Sequence, residues 1–208
     1  SLMTLTPGHH RYGVFEAGSN HPGEIAALCG ILKPDWGIVT NAGPVHVEQF
    51  KSVEGVAREK RDLFASLPRD GLAVLNRDTA CFDLLAEAAP RRQRTASLCD
   101  CSADLVAEAV VETRDGQRIR IREKGTTCEI RLSLSGRHHA MNAMLAALVA
   151  RELGLSWREI DSALAGFVPM AMRWQIVEAD GVTVINDAYN ANPLSMEAAL
   201  KTFRETPC

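Results

Sequence analysis

Short β-type runs alternate with helix-patterned segments through the first hundred residues, and that alternation restricts the chain to a sheet with crossover helices. Tyr12 to Glu16 is expected as a strand, Pro22 to Leu32 as a helix, Trp36 to Thr40 as a strand, Val53 to Ser66 as a helix and Leu72 to Leu75 as a strand. This order specifies an α/β fold with a mostly parallel sheet, because parallel neighbours need a connection long enough to cross the sheet. Between Ala103 and Leu134 the pattern becomes β-rich. Asp115-Gly116 reads there as a hairpin turn between Val110-Val111-Glu112-Thr113 and Arg118-Ile119-Arg120-Ile121, giving a small antiparallel insertion or edge.

Ala140 to Leu153 is strongly apolar and is expected as a helix stopped by Gly154. A second helix, Ser156 to Leu164, starts on a serine cap and ends near Gly166. Phe167-Val168-Pro169-Met170 reads as a linker, and Asp180-Gly181 as the turn joining Trp174-Gln175-Ile176-Val177 to Val182-Thr183-Val184-Ile185. A boundary is therefore expected near Met170, with a central domain over 1–169 and the start of a second domain over 170–208.

Composition narrows the class. A chain of 208 residues with 46% hydrophobic residues can bury a core. No apolar run reaches membrane-span length and no signal peptide opens the sequence. A net charge of -3 with mixed signs carries no nucleic-acid footprint. The one basic cluster, Arg91-Arg92-Gln93-Arg94, follows a proline and reads as a solvated turn. Six irregularly spaced cysteines, with Cys99 and Cys101 too close for a two-residue spacer, fit a reduced cytoplasmic protein. Cys29 lies in an apolar helical run and is expected in the core, whereas Cys208 reflects only where the chain stops.

The segment Asn186 to Ser195 follows an apolar strand and leads into a helix with a serine near its start. Ligands of α/β sheets bind at such strand ends. Asp187 could accept from ribose hydroxyls, and Tyr189, Asn190 and Asn192 offer directional polar groups, although Asn and Pro also suit an ordinary turn. Glu16 and His46 each follow an expected strand and so face one sheet edge. His138 and Asn142 lie one helical turn apart and share a face. Taken singly, Glu16 also reads as a solvated carboxylate, Lys60 as a solvated helix lysine, and Asn20, Glu24 and Glu48 as caps or loop anchors.

Five motifs in order resemble the Mur ligase family, the ATP-dependent amino-acid-adding enzymes of peptidoglycan synthesis. They are Phe15 to Glu24, Asn41 to Glu48, Ala57 to Lys60, Gly136 to Asn142, and the Tyr189-Asn190-Ala191-Asn192-Pro193 loop, with Arg173 ahead of the last. The loop and Asn20-His21-Pro22-Gly23-Glu24 are similar to the branch that adds a dipeptide. The resemblance implies a central ATPase domain and a Rossmann-like second domain. It further implies ATP and Mg2+ as cofactors, and UDP-MurNAc-tripeptide and D-Ala-D-Ala as substrates. Glu16, His46 and a carbamylated Lys60 are implied as magnesium ligands, converging on one edge of the sheet, and Lys60 and Arg173 as catalytic groups. His138, Asn142, Arg173 and Asp187 are implied at ATP, and Asn20, Glu24, Glu48, Tyr189, Asn190 and Asn192 at the other substrates.

The chain departs from the pattern at His139, where asparagine is usual, which puts that one contact in doubt. No Gly-x-x-x-x-Gly-Lys-Ser/Thr loop occurs in it, and the resemblance puts that loop upstream. The expectation is a chain cut at both ends and inactive alone. Other readings stay open: another amide ligase on the same fold, of folylpolyglutamate or cyanophycin synthetase type, or a non-catalytic binding module.

Overall fold

The computed structural model describes residues 6, 8–44, 47–113 and 115–205. It forms an α/β fold with a mostly parallel six-stranded sheet and a separate two-stranded ribbon, and the chain divides into two compact units. The first unit comprises Ser1–Ala73 and Ala80–Gln93, and the second Val74–Thr79 and Arg94–Cys208.

In the first unit, helix α1 spans Glu24–Leu32 and strand β1 Trp36–Val39. A short turn of helix, α2, covers Val47–Phe50, and α3 covers Val53–Ala65. Ser52 caps α3 by accepting the Gly55 amide at 3.0 Å. A side chain at Gly55 would meet the Phe50 carbonyl, since a Cβ there would lie 2.0 Å from its oxygen. Ile25 and Cys29 of α1 are buried, as are Val56, Ala57 and Phe64 of α3, so Cys29 belongs to the core as its apolar surroundings imply. Strand β2, Leu72–Asn76, is buried at every position. An uninterrupted apolar run is what a strand covered on both faces requires. Helix α4, Phe82–Ala88, buries Leu85.

Strand β3 is Arg92–Ser97, and in the second unit β4, β5 and β6 are Leu105–Thr113, Gly116–Glu123 and Thr126–Leu132. The sheet order is β1-β2-β3-β4-β5-β6. β3 pairs parallel with β4 through Ala96↔Leu105, and β4–β5 and β5–β6 are antiparallel. The β-rich segment is thus the edge of the main sheet. Helix α5, Arg137–Glu152, buries Ala140, Met141, Ala143, Met144, Leu145, Ala147 and Leu148. Helix α6, Trp157–Ala165, opens on a capping box between Ser156 and Glu159. The ribbon pairs β7, Gln175–Ala179, with β8, Val182–Asn186, around Asp180 and Gly181, both at positive φ as a tight hairpin needs. Helix α7 spans Pro193–Glu205. Among the described residues no helix is long and apolar enough to cross a membrane.

Two expectations are corrected. Tyr12 to Glu16 is not a strand: the segment is exposed, Val14 by 96%, and has no ladder partner among the described strands. Aromatic and apolar residues such as Tyr12, Val14 and Phe15 alone cannot hold a strand whose backbone groups have no neighbour to pair with. Nor is Arg91 to Arg94 a solvated turn. β3 starts at Arg92, whose guanidinium lies 5.5 Å over the Trp36 ring, and Arg94 is enclosed by Glu123 at 2.6 Å and by Glu152. A guanidinium enters a partly buried position when carboxylates there take its charge and its N–H groups. Cys208 and His46 lie outside the described residues.

Candidate functional site

The candidate side chains fall into two groups, one in each unit. In the first unit Lys60 projects from α3 into a cavity of about 170 Å³ lined also by Ala17, Gly18, Ser19, Ile25, Phe50 and Val56. Burial alone pushes its ammonium below the ordinary lysine value. Lys60 is half-buried, so the solvated-lysine reading does not describe it. Glu16 is exposed on the segment that continues into the cavity wall at Ala17, and it ends no strand, contrary to the expected placement. Glu48 is exposed in the first turn of α2. Among the described residues no three His, Cys, Asp or Glu side chains are grouped to hold a metal.

The loop before α1 is built by carboxylates. Glu24 Oε2 accepts the backbone amides of Asn20 at 2.6 Å and His21 at 3.0 Å, and these bonds hold its carboxyl below the usual range. Glu59, next to Lys60, accepts the amides of Gly23 at 2.7 Å and Ile25 at 2.9 Å. It is a buried acid that satisfies the free N–H groups at the start of α1. Sequence reasoning placed Glu59 within a motif and gave it no role, because no local spacing links it to a turn 36 residues earlier.

In the second unit α5 begins at Gly136, whose φ of 104° suits only glycine, and a side chain there would meet His138 and Thr202. The His138 and His139 rings lie 4.0 Å apart and tilted by 44°. Desolvation, then the neighbouring charges of His138 and Arg173, push His139 down to about 4, so it is a neutral imidazole near neutral pH. Desolvation also lowers His138, and Asp187 opposes that shift. Asn142 is exposed one turn further along α5.

Arg173 lies with its guanidinium 4.0 Å over the Tyr189 ring. Met172 and Trp174 on either side of it adopt φ of 64° and 48°, a left-handed backbone that non-glycine residues hold only under constraint. The constraints are visible: Asp187 accepts the Trp174 amide at 3.0 Å, and the Tyr189 amide donates to the Met172 carbonyl at 3.0 Å. The expected loop therefore gathers Arg173, Asp187 and Tyr189, with electrostatic reach to the histidines that open α5.

Asn190 and Asn192 are occupied locally. Asn190 Oδ1 accepts the Ala191 amide at 2.8 Å. Asn192 Oδ1 accepts the Ser195 amide at 2.9 Å, which makes Asn192 the cap of α7, with Pro193 as its first residue and the Asn192 amide in turn donating to the Ser195 hydroxyl at 3.0 Å.

Residues 1–150 match the Mur ligase middle domain and residues 172–207 the Mur ligase glutamate ligase domain, so the chain belongs to the Mur ligase family. Within that family its relatives include UDP-N-acetylmuramoyl-tripeptide--D-alanyl-D-alanine ligases. The chain is 37% identical to that of Mycobacterium bovis over 92% of its own length and 38% of the relative's, and 31% identical to that of Escherichia coli over 100% and 46%. The crystal structure of MurF from Acinetobacter baumannii superimposes with a TM-score of 0.89 at 25% identity, covering 97% of this chain and 44% of that one. The chain thus spans less than half the length of these relatives.

Proposed function

We propose that the protein containing this chain is an ATP-dependent ligase that joins D-Ala-D-Ala to UDP-MurNAc-tripeptide in peptidoglycan precursor synthesis, in the cytoplasm. The observation that carries the reading is Lys60, an amine held below its ordinary pKa in a small cavity beside Ala17, Gly18 and Ser19. A neutral amine attacks carbon dioxide and releases one proton, which replaces a cation by a carbamate with two oxygen donors. A hard divalent cation takes such oxygens together with carboxylates. Mg2+ would be held by carbamylated Lys60 with Glu16 and His46, and when bound it would neutralise phosphate charge.

The reaction follows from the substrates. The terminal carboxylate of the tripeptide attacks the γ-phosphorus of ATP, forming an acyl phosphate and releasing ADP. The amine of D-Ala-D-Ala then attacks the acyl carbon and phosphate leaves, with the amine's surplus proton going to solvent. Arg173, braced against Tyr189, presents a guanidinium to the transferring phosphoryl group. His138 and Asn142 contact the nucleotide from α5, and Asp187 accepts from its ribose. Asn20, Glu48, Tyr189 and the side-chain NH2 groups of Asn190 and Asn192, whose oxygens are bonded locally, face the other substrates, and Glu24 acts by shaping the Asn20 turn. The domain division is 1–169 and 170–208, which the two family matches, ending at 150 and starting at 172, support.

The test is ADP release by the purified protein containing this chain, with ATP and Mg2+ present. Release that requires UDP-MurNAc-tripeptide and D-Ala-D-Ala together supports the reading. Release driven by glutamate and a folate, and not by this pair, contradicts it.

A further inference from the structure

Glu112 on β4 and Gln117 on β5 are register partners, so their side chains leave the same face of the sheet from directly opposed positions. Both reach the turn that opens α5. Glu112 Oε1 accepts the Gly136 amide at 2.9 Å, and Gln117 Nε2 donates to the Gly136 carbonyl at 3.1 Å and to the Leu134 carbonyl at 2.7 Å. The amide orientation is fixed by those partners, since a flipped Gln117 would set its oxygen against two carbonyls. Gly136 is therefore gripped through both of its backbone polar groups, and Thr202 of α7 closes against it from a third side.

The grip leaves two atoms over. Among the described residues, Glu112 Oε2 and Gln117 Oε1 are both buried with no hydrogen-bond partner, and Gln117 is 2% exposed. Two unpartnered buried acceptors on opposed residues are costly if the acid is ionised. A proton on Glu112 would turn Oε2 from an acceptor into a donor, and the opposed Gln117 Oε1 is an acceptor in want of one. Burial, then Glu205 on α7, shift the Glu112 carboxyl upward, in the direction of that form, opposed by the Gly136 amide, the Ser135 hydroxyl and Arg137 at the start of α5.

We propose that Glu112 and Gln117 are positioning residues for the nucleotide side of the site: a neutral Glu112 acid and the Gln117 amide clamp Gly136, and so fix the helix start that presents His138 and Asn142. The inference rests on the nucleotide reading of α5 given above. It assigns a task to two residues that belong to none of the motifs and lie on the sheet edge.

The experiment compares Glu112→Ala and Glu112→Gln in the full protein containing this chain. It uses two readouts: hydrogen exchange of backbone amides over 134–142, and steady-state kinetics with ATP varied. Glu112→Ala should speed exchange at Gly136 and raise the KM for ATP about tenfold, the effect of one lost strong hydrogen bond, with kcat held within about twofold. Glu112→Gln keeps an acceptor for Gly136 and adds a donor for Gln117, so both readouts should match the unmodified protein. If Glu112→Gln behaves as Glu112→Ala, the carboxylate charge is needed and the neutral clamp is wrong. An unchanged KM for ATP in Glu112→Ala, alongside faster exchange, overturns the positioning role. Should the unmodified protein fail to use ATP, the functional reading falls, while the exchange data still decide whether the clamp exists.

Discussion

Glu59 Oε2 lies 2.7 Å from the Gly23 amide, so an acid one position before Lys60 ties α3 to the turn that leads into α1. The cavity around Lys60 is walled partly by Ile25, whose amide the same carboxylate accepts at 2.9 Å. Replacing Glu59 with alanine leaves two amides of a helix start without an acceptor. The cost expected is about 3 kcal/mol, measured as a fall in the urea midpoint with an unchanged slope.

Arg94 is bound by Glu123 and Glu152, with side-chain exposures of 12%, 8% and 17%. Arg94→Met removes the cation and leaves two carboxylates facing each other with little water, so it should destabilise the fold by about 3–5 kcal/mol in chemical denaturation. Loss below about 1 kcal/mol would mean that Arg151, 3.2 Å from Glu123, takes over the charge.

His139 supplies a pH-dependent term. Its folded value of about 4 lies below the ordinary 6.5, so between those values the unfolded chain binds the extra proton. Stability from this residue is therefore fully present above about 6.5 and is lost as pH falls toward 4. His139→Asn should flatten the loss of melting temperature between pH 6.5 and 4 relative to the unmodified protein. Parallel curves would show that the imidazole is not held neutral by the fold.

If Lys60 carries the proposed carbamate, Lys60→Ala should cut turnover heavily with the fold intact, and acetate should restore part of it, because the variant then lacks a pair of anionic oxygens. Rescue by an alkylamine and not by acetate would instead make Lys60 a plain cation.

Much of the architecture was legible because it is local. Ser156 marks a helix start, and Asp115-Gly116 and Asp180-Gly181 mark hairpins, each through bonds or dihedrals within a few residues. What was not legible is long-range. Arg94 reads as one more surface arginine until Glu123 and Glu152 are brought to it, and Glu112 reads as an ordinary strand residue until Gly136 arrives 24 positions later. Tyr12 to Glu16 fails for the converse reason: its composition suits a strand, but pairing needs a neighbour. Of the candidate site, Arg173 lies over Tyr189 and Asp187 holds the Trp174 amide, contacts that no local spacing announces, whereas Asn192 is occupied as a helix cap.

The central claim is that the tripeptide carboxylate is activated as an acyl phosphate, and following its oxygen atoms tests this most directly. UDP-MurNAc-tripeptide labelled with heavy oxygen in its terminal carboxylate is incubated with ATP, D-Ala-D-Ala and the protein containing this chain, and the released phosphate is analysed by mass. The account predicts one labelled oxygen in inorganic phosphate for each dipeptide joined, with ADP as the other product. Unlabelled phosphate, or label appearing in AMP, would contradict it.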